Sequence, residues 1–172
     1  IIDYFTPGFL LGITATPERM DGEDVYSLFD HNVPYELRLR DAIINQLVVP
    51  FHYYGIRDDL IEYDLAETKG HSFIEAFSQE DHCDFIRRMI EKHRLPNEKL
   101  KALAFCRDVS HAIRMAQAME DYYKTRYLCG KNSVGERIQA YHDLQEESAD
   151  LEILFTVDIL NEGVDIPGVN MV

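Results

Sequence analysis

Three short segments hold side chains whose types and spacing can do chemistry. In Gly12-Ile13-Thr14-Ala15-Thr16-Pro17, two hydroxyls flank a small residue at the end of an apolar run. Such hydroxyls can link a nucleotide site to a neighbouring surface through hydrogen bonds. The same residues also suit a strand end followed by a proline turn. The second segment runs from Thr156 through Val157, Asp158, Asn161, Glu162, Gly163 and Asp165 to Pro167. Here an apolar strand enters a polar turn that holds one glycine and three acids. Gly163 can adopt backbone angles closed to other residues or let a ligand approach the main chain. Asp165, at a strand end, can accept from ribose hydroxyls. A tight solvated turn between strands is the alternative. The third segment, Gly130-Lys131-Asn132-Ser133, has the strand–loop–helix context of a phosphate loop but not its sequence. That signature needs GxxxxGK followed directly by Ser or Thr, and here Thr125 and Asn132 occupy two of its required positions.

Other chemistries lack their signals. Seven histidines are scattered without HExxH or another ligand spacing, so no metal site is expected. No GxSxG nucleophile elbow is present. Cys83, Cys106 and Cys129 show no CxxC pairing and read as free thiols of a reducing compartment, which predicts a cytoplasmic protein.

The elements that must position these residues follow from periodicity. Phe9 to Thr14 is an apolar run consistent with a buried strand. Tyr35 to Leu39 and Phe51 to Ile56 are also strand-like, and Asp41 can cap a short helix through Leu47. Residues 57–98 differ: eleven acids face six bases, and Phe85, Ile86, Met89 and Ile90 recur at helical spacing. This stretch reads as an acidic helical connector or insertion. From Lys101 the pattern alternates. Ala102 to Cys106 is a strand buried on both faces. Asp108 is placed to cap a helix whose stripe is Ala112, Met115, Ala116, Met119, Tyr122 and Tyr123. Tyr127 to Cys129 is a second strand. Ser133 and Glu136 have capping-box spacing, and the helix they open is expected to turn Val134, Ile138 and Tyr141 inward. Leu151 to Val157 is a third strand. Strand–helix–strand–helix–strand order predicts a parallel α/β sheet covered by helices. Ligands of such sheets bind beyond the carboxyl ends of the strands.

Composition bounds the rest. The 172 residues carry a net charge of −14, with 46% hydrophobic and 28% charged side chains, which suits a folded protein. No apolar stretch is long enough to span a membrane, and no secretory signal is visible. The acid excess argues against a simple basic sleeve for nucleic acid. Few, local contacts through backbone amides, helix N-termini and hydroxyls remain compatible with it. The start at Ile1 and the end within a strand-like Gly168-Val169-Asn170-Met171-Val172 read as a fragment of a longer polypeptide.

Taken in order, the segments resemble superfamily 2 helicases and translocases, and within them the branch of restriction-enzyme subunits. FLLGITATPER, residues 9–19, resembles motif III, with Thr14-Ala15-Thr16 at its centre. ALAFCRDVSHA, residues 102–112, resembles motif IV, which opens the second RecA-like domain. Residues 153–167, ending in EGVDIP, resemble motif V. Two departures occur there. Val157 precedes Asp158 where relatives have threonine, and Glu162 stands where DEAD-box proteins have arginine. The glutamate suits the restriction branch.

The resemblance implies a RecA-like parallel sheet over 99–172, truncated, preceded by a connector at 57–98 and the end of a first RecA-like domain at 1–56. It implies ATP and Mg²⁺ in the parent protein, with Gly163, Asp165 and Glu162 on the nucleotide side. Thr14, Ala15 and Thr16 would couple ATP state to domain closure. Thr156, Asp158, Phe105, Arg107, Ser133 and Arg137 would face nucleic acid, with DNA favoured over RNA. The family's phosphate loop, DExH box and arginine motif have no counterpart in the sequence, so the chain alone is expected to be inactive and to need the missing N-terminal RecA-like domain of the same polypeptide. The rival readings are another nucleotide- or cofactor-binding α/β enzyme, and a non-catalytic interaction module with an acidic surface.

Overall fold

The computed structural model describes residues 4, 7–18, 24–57, 80–160 and 165–172. The chain divides into two compact units, residues 1–55 and 56–172.

The larger unit is built on a three-stranded parallel sheet. Its elements in chain order are α2 (Glu80–His93), β1 (Ala102–Phe105), α3 (Val109–Met119), β2 (Thr125–Leu128), α4 (Val134–Gln145) and β3 (Ile153–Thr156). The strand order is β1-β3-β2. Ala102 and Thr125 both pair with Ile153, and Phe105 and Leu128 both pair with Thr156, so all three strands end level. The last residues extend the sheet beyond β1. Gly168 turns the chain with φ 92°, a left-handed angle open to glycine. Asn170 accepts from Lys101 N–H at 2.9 Å, and Met171 O accepts from Leu103 N–H at 3.0 Å, forming a parallel bridge beside Ala102.

Two apolar cores cover the two faces. One contains Ala102, Ile153, Phe155 and Val157 of the sheet with Ala112, Met115, Ala116, Met119 and Tyr123 from α3 and its exit. Cys83 also lies in it, and Ile86 and Ile90 pack against it, so α2 belongs to the same core as β1 and α3. The helix expected in residues 57–98 therefore forms over 80–93 as part of the sheet's cover. The other core joins Leu128, Leu151 and Leu154 to Ala140 and Leu144 of α4. Here the expected stripe is corrected. Val134 and Ile138 are 69% and 61% exposed, and the buried face is Ala140 and Leu144 with Tyr141 beside them. The small Ala140 lets the helix approach the sheet, which Val134 and Ile138 at their positions do not require. Tyr122 is also exposed rather than part of the α3 stripe.

The smaller unit holds a short 3₁₀ turn at Tyr26–Phe29 and α1 (Leu39–Ile44). Arg38 is the N-cap of α1 and pairs with Glu18 at 2.8 Å and with Glu36. Asp41 lies within the first turn, where a carboxylate favours the helix dipole, and is not the cap. The strands expected at 9–14, 35–39 and 51–56 do not form among the described residues, and Phe9, Ile13, Tyr35 and Phe51 are exposed. An extended segment without a neighbouring ladder leaves its backbone groups to water, so apolar alternation alone does not make a strand. At Gly12 a Cβ would fall 2.5 Å from the Phe29 ring, which explains the glycine within that apolar run.

Candidate nucleotide and nucleic-acid edge

Level strand ends bring three loops to one edge of the larger unit. The loop after β1 carries Cys106, Arg107 and Asp108. The loop after β2 carries Cys129 to Ser133, and the chain after β3 carries Val157 and Asp158. The first loop is tied to the central strand by Cys106 N–H donating to Thr156 O at 2.8 Å. Its ring, Phe105, is half exposed.

Both loops that enter helices are closed by caps. Asp108 accepts at Oδ1 from His111 N–H at 2.9 Å. In return, Arg107 N–H donates to His111 Nδ1 at 3.3 Å. On the second loop, Ser133 Oγ accepts from Glu136 N–H at 3.3 Å, and Ser133 N–H donates to Glu136 Oε2 at 2.6 Å. That is the expected capping box. The hydrogen bond from the Ser133 backbone holds the Glu136 carboxyl below the ordinary carboxylate range. Asn132 closes the same loop by accepting at Oδ1 from Cys129 N–H at 2.9 Å.

Arg137 reaches back from α4 to this loop. Its Nε donates to Asn132 O at 3.1 Å and its Nη2 to Gly130 O at 2.8 Å. Its guanidinium thus shapes the loop that Lys131 and Ser133 present to solvent. Arg107 and Lys131 share these loops with Asp108 and Asp158, and Arg137 reaches the second loop from α4. Burial and the neighbouring Asp108 carboxylate push the Cys106 thiol up to about 11, so it stays protonated and poorly nucleophilic near neutral pH.

Thr156 is the least expected member. It has no exposed surface, and its Oγ1 has no hydrogen-bond partner among the described residues. The central strand is covered on both faces, so this hydroxyl does not reach the solvent side of the edge. Asp158 follows it at the surface with φ 54°, a left-handed angle uncommon outside glycine, asparagine and aspartate. Asp165 is exposed as well. Glu162 and Gly163 lie outside the described residues. Thr14, Ala15 and Thr16 belong to the smaller unit and are exposed, with Thr16 N–H donating to Thr14 Oγ1 at 3.1 Å. Among the described residues no cluster of three histidines, cysteines or carboxylates is arranged to hold a metal. No helix among them is long and apolar enough to cross a membrane.

Sequence reasoning missed one contributor to this edge. His111 looked like one of seven scattered histidines, although its position three residues after a cap is the place for a reciprocal acceptor. Arg137, expected to face nucleic acid, also reaches the loop carbonyls of Asn132 and Gly130, which the sequence does not show.

A helix-covered parallel sheet with its working loops at one edge is the architecture of a RecA-like helicase domain. The helicase conserved C-terminal domain matches residues 81–172, more than half of the sequence, and the chain belongs to that family. It is similar to a type I restriction enzyme EcoAI endonuclease subunit from Escherichia coli, 26% identical over 136 residues that make up 69% of this chain and 17% of the relative. It is also similar to the UvrABC system protein B of Chlorobium phaeobacteroides, 38% identical over 64 residues, which are 34% of this chain and 9% of the relative. The chain therefore spans less than a fifth of either curated relative. Among solved structures it resembles the fragment structure of a putative HsdR subunit of a type I restriction enzyme from Vibrio vulnificus YJ016. That likeness has a TM-score of 0.63 at 22% identity and covers 96% of this chain and 33% of the other. It supports the same fold.

Proposed function

We propose that this chain is part of an ATP-dependent nucleic-acid helicase or translocase, and that its larger unit supplies the strand-end loops of the second RecA-like domain. The observation that carries this reading is the level ending of β1, β3 and β2, which sets the loops resembling motifs IV and V side by side. Residues 1–56 are assigned to the end of a first RecA-like domain, with Thr14, Ala15 and Thr16 coupling ATP state to domain closure. The relatives named for restriction enzymes favour DNA as the nucleic acid.

Phosphoryl transfer depends chiefly on positioning and charge stabilisation. The exposed carboxylate of Asp165 suits ribose hydroxyls, and Gly163 would allow close approach of the nucleotide, with Glu162 beside it. Mg²⁺ has no ligand set among the described residues, so the groups that hold it are assigned to ATP and the partner domain. On the nucleic-acid side, the Phe105 ring can stack on a base, while Arg107 and the N-terminus of α4 at Ser133 can meet phosphates. Arg137 acts there by holding the loop. Asp158, at a left-handed φ of 54°, turns the chain out of β3.

In a protein carrying both RecA-like domains, Asp165→Ala is expected to cut ATPase turnover while leaving thermal stability nearly unchanged. Wild-type turnover with an unchanged KM would remove Asp165 from the nucleotide site. The chain alone lacks the GxxxxGK[ST] signature and is expected to release no phosphate from ATP, with or without nucleic acid. Nucleic-acid-stimulated phosphate release by the pure chain would refute that.

A further inference from the structure

The two loops that lead into α3 and α4 are closed by the same device with different chemistry. Each helix has an N-cap side chain that accepts from the backbone three residues on: Asp108 from His111 N–H, and Ser133 from Glu136 N–H. Each also has a side chain at that third position reaching back to a loop amide. Glu136 takes Ser133 N–H, and His111 takes Arg107 N–H through Nδ1. A carboxylate accepts at all pH values above its low titration range. An imidazole accepts at Nδ1 only while that nitrogen is unprotonated.

We propose that His111 is a positioning residue that holds the Cys106–Asp108 loop closed as a neutral imidazole, and that protonating it opens this loop while the Gly130–Ser133 loop stays shut. A proton on Nδ1 would face the Arg107 N–H donor to donor, so the loop bond cannot survive it. The surroundings fit this role. Burial disfavours a charged imidazole at His111, and Asp108 on its own loop opposes that effect. His82 of α2 and the Arg107 side chain, which also face it among the described residues, both act against the proton. The imidazole is thus held below its ordinary range near 6.5, and the closed loop is the neutral-pH state. The proposal deepens the helicase reading, since this loop carries Arg107 beside Phe105, but the geometry of the loop does not depend on it.

The test uses this chain in solution by ¹⁵N-edited NMR. Long-range imidazole couplings are expected to show the Nε2–H tautomer at pH 7.5. The Arg107 amide shift is expected to titrate with the same midpoint as His111, below pH 6.5, while the Ser133 amide stays unmoved over that range. A midpoint at or above 6.5, the Nδ1–H tautomer, or an Arg107 amide that ignores the titration would overturn the proposal. His111→Asn gives an independent arm, because asparagine Oδ1 stands where Nδ1 stood and does not titrate. The variant should keep the closed-loop Arg107 shift and lose its pH dependence, whereas His111→Phe should shift it at every pH. Equal Arg107 shifts in the Asn and Phe variants would also overturn the proposal. In the two-domain protein, His111→Asn should flatten the decline in DNA affinity between pH 7.5 and 5.5. Absence of DNA binding at every pH would count against the helicase reading alone, because the NMR arms stand without DNA.

Discussion

Thr156→Val offers a direct measure of how the central strand is built. Thr156 sits at the end of β3, paired in register with Phe105 and Leu128, and has no solvent-exposed surface. Its backbone O is satisfied by Cys106 N–H, but its Oγ1 has no partner among the described residues. A buried hydroxyl left without a hydrogen bond costs about 1–3 kcal/mol relative to water. Valine keeps the branched shape, so the strand geometry needs no repair, and its second methyl meets an apolar environment. We expect Thr156→Val to stabilise the chain by about 1–2 kcal/mol. For a unit of this size that is a Tm rise of about 3–10 °C. Urea denaturation followed by far-ultraviolet circular dichroism should show a higher midpoint at unchanged slope. A loss of stability of 1 kcal/mol or more would mean that the hydroxyl is satisfied in solution and that the account of this strand end is wrong. A gain would instead identify Thr156 as a costly group kept at the edge that carries the candidate site. Such local violations of packing rules concentrate at functional positions.

Four further outcomes test the remaining architecture. Leu154→Ala, in the wholly buried centre of β3, should cost about 2–5 kcal/mol through lost packing and a residual cavity. Ile138→Ser on the exposed face of α4 should stay within about 0.5 kcal/mol of wild type, and parity between the two in urea midpoints would refute the assigned helix face. Asp108→Ala removes the N-cap of α3 and should cost about 1 kcal/mol, with the His111 amide losing exchange protection. The Glu136 carboxyl, held low by the Ser133 backbone, strengthens the fold above the unfolded carboxylate range and loses that effect as pH falls through its own lower range. The Ser133 amide shift should therefore move only below about pH 4.5, and movement near neutrality would refute the capping box.

Much of the larger unit was legible because its signals are local. The apolar run at Ala102–Cys106 and the stripe of α3 need only a few residues to declare themselves. So do Asp108 and the Ser133–Glu136 box, since a cap is chemistry between a side chain and amides two or three positions away. The smaller unit was less legible for the complementary reason. Phe9–Thr14 and Phe51–Ile56 have strand composition, but a strand exists only where another strand accepts its backbone hydrogen bonds, and local sequence does not record that partner. Likewise Val134, Ile138 and Tyr141 make as good a stripe on paper as Ala140, Tyr141 and Leu144. Close approach to the sheet selects the second set, because Ala140 fits where a larger side chain would hold the helix off.

By itself, then, the sequence determined the alternation of strand and helix, the caps and the order of the loops, all of which depend on neighbours along the chain. Only the tertiary structure decided that β3 lies between β1 and β2. That central placement buries the Thr156 hydroxyl and brings the three loops level. The clasps of Arg137 on the loop before α4 and of His111 on the loop before α3 are, by contrast, local contacts within a few residues of the chain. The strand order depends on pairing across the fold, and spacing along the chain does not encode it.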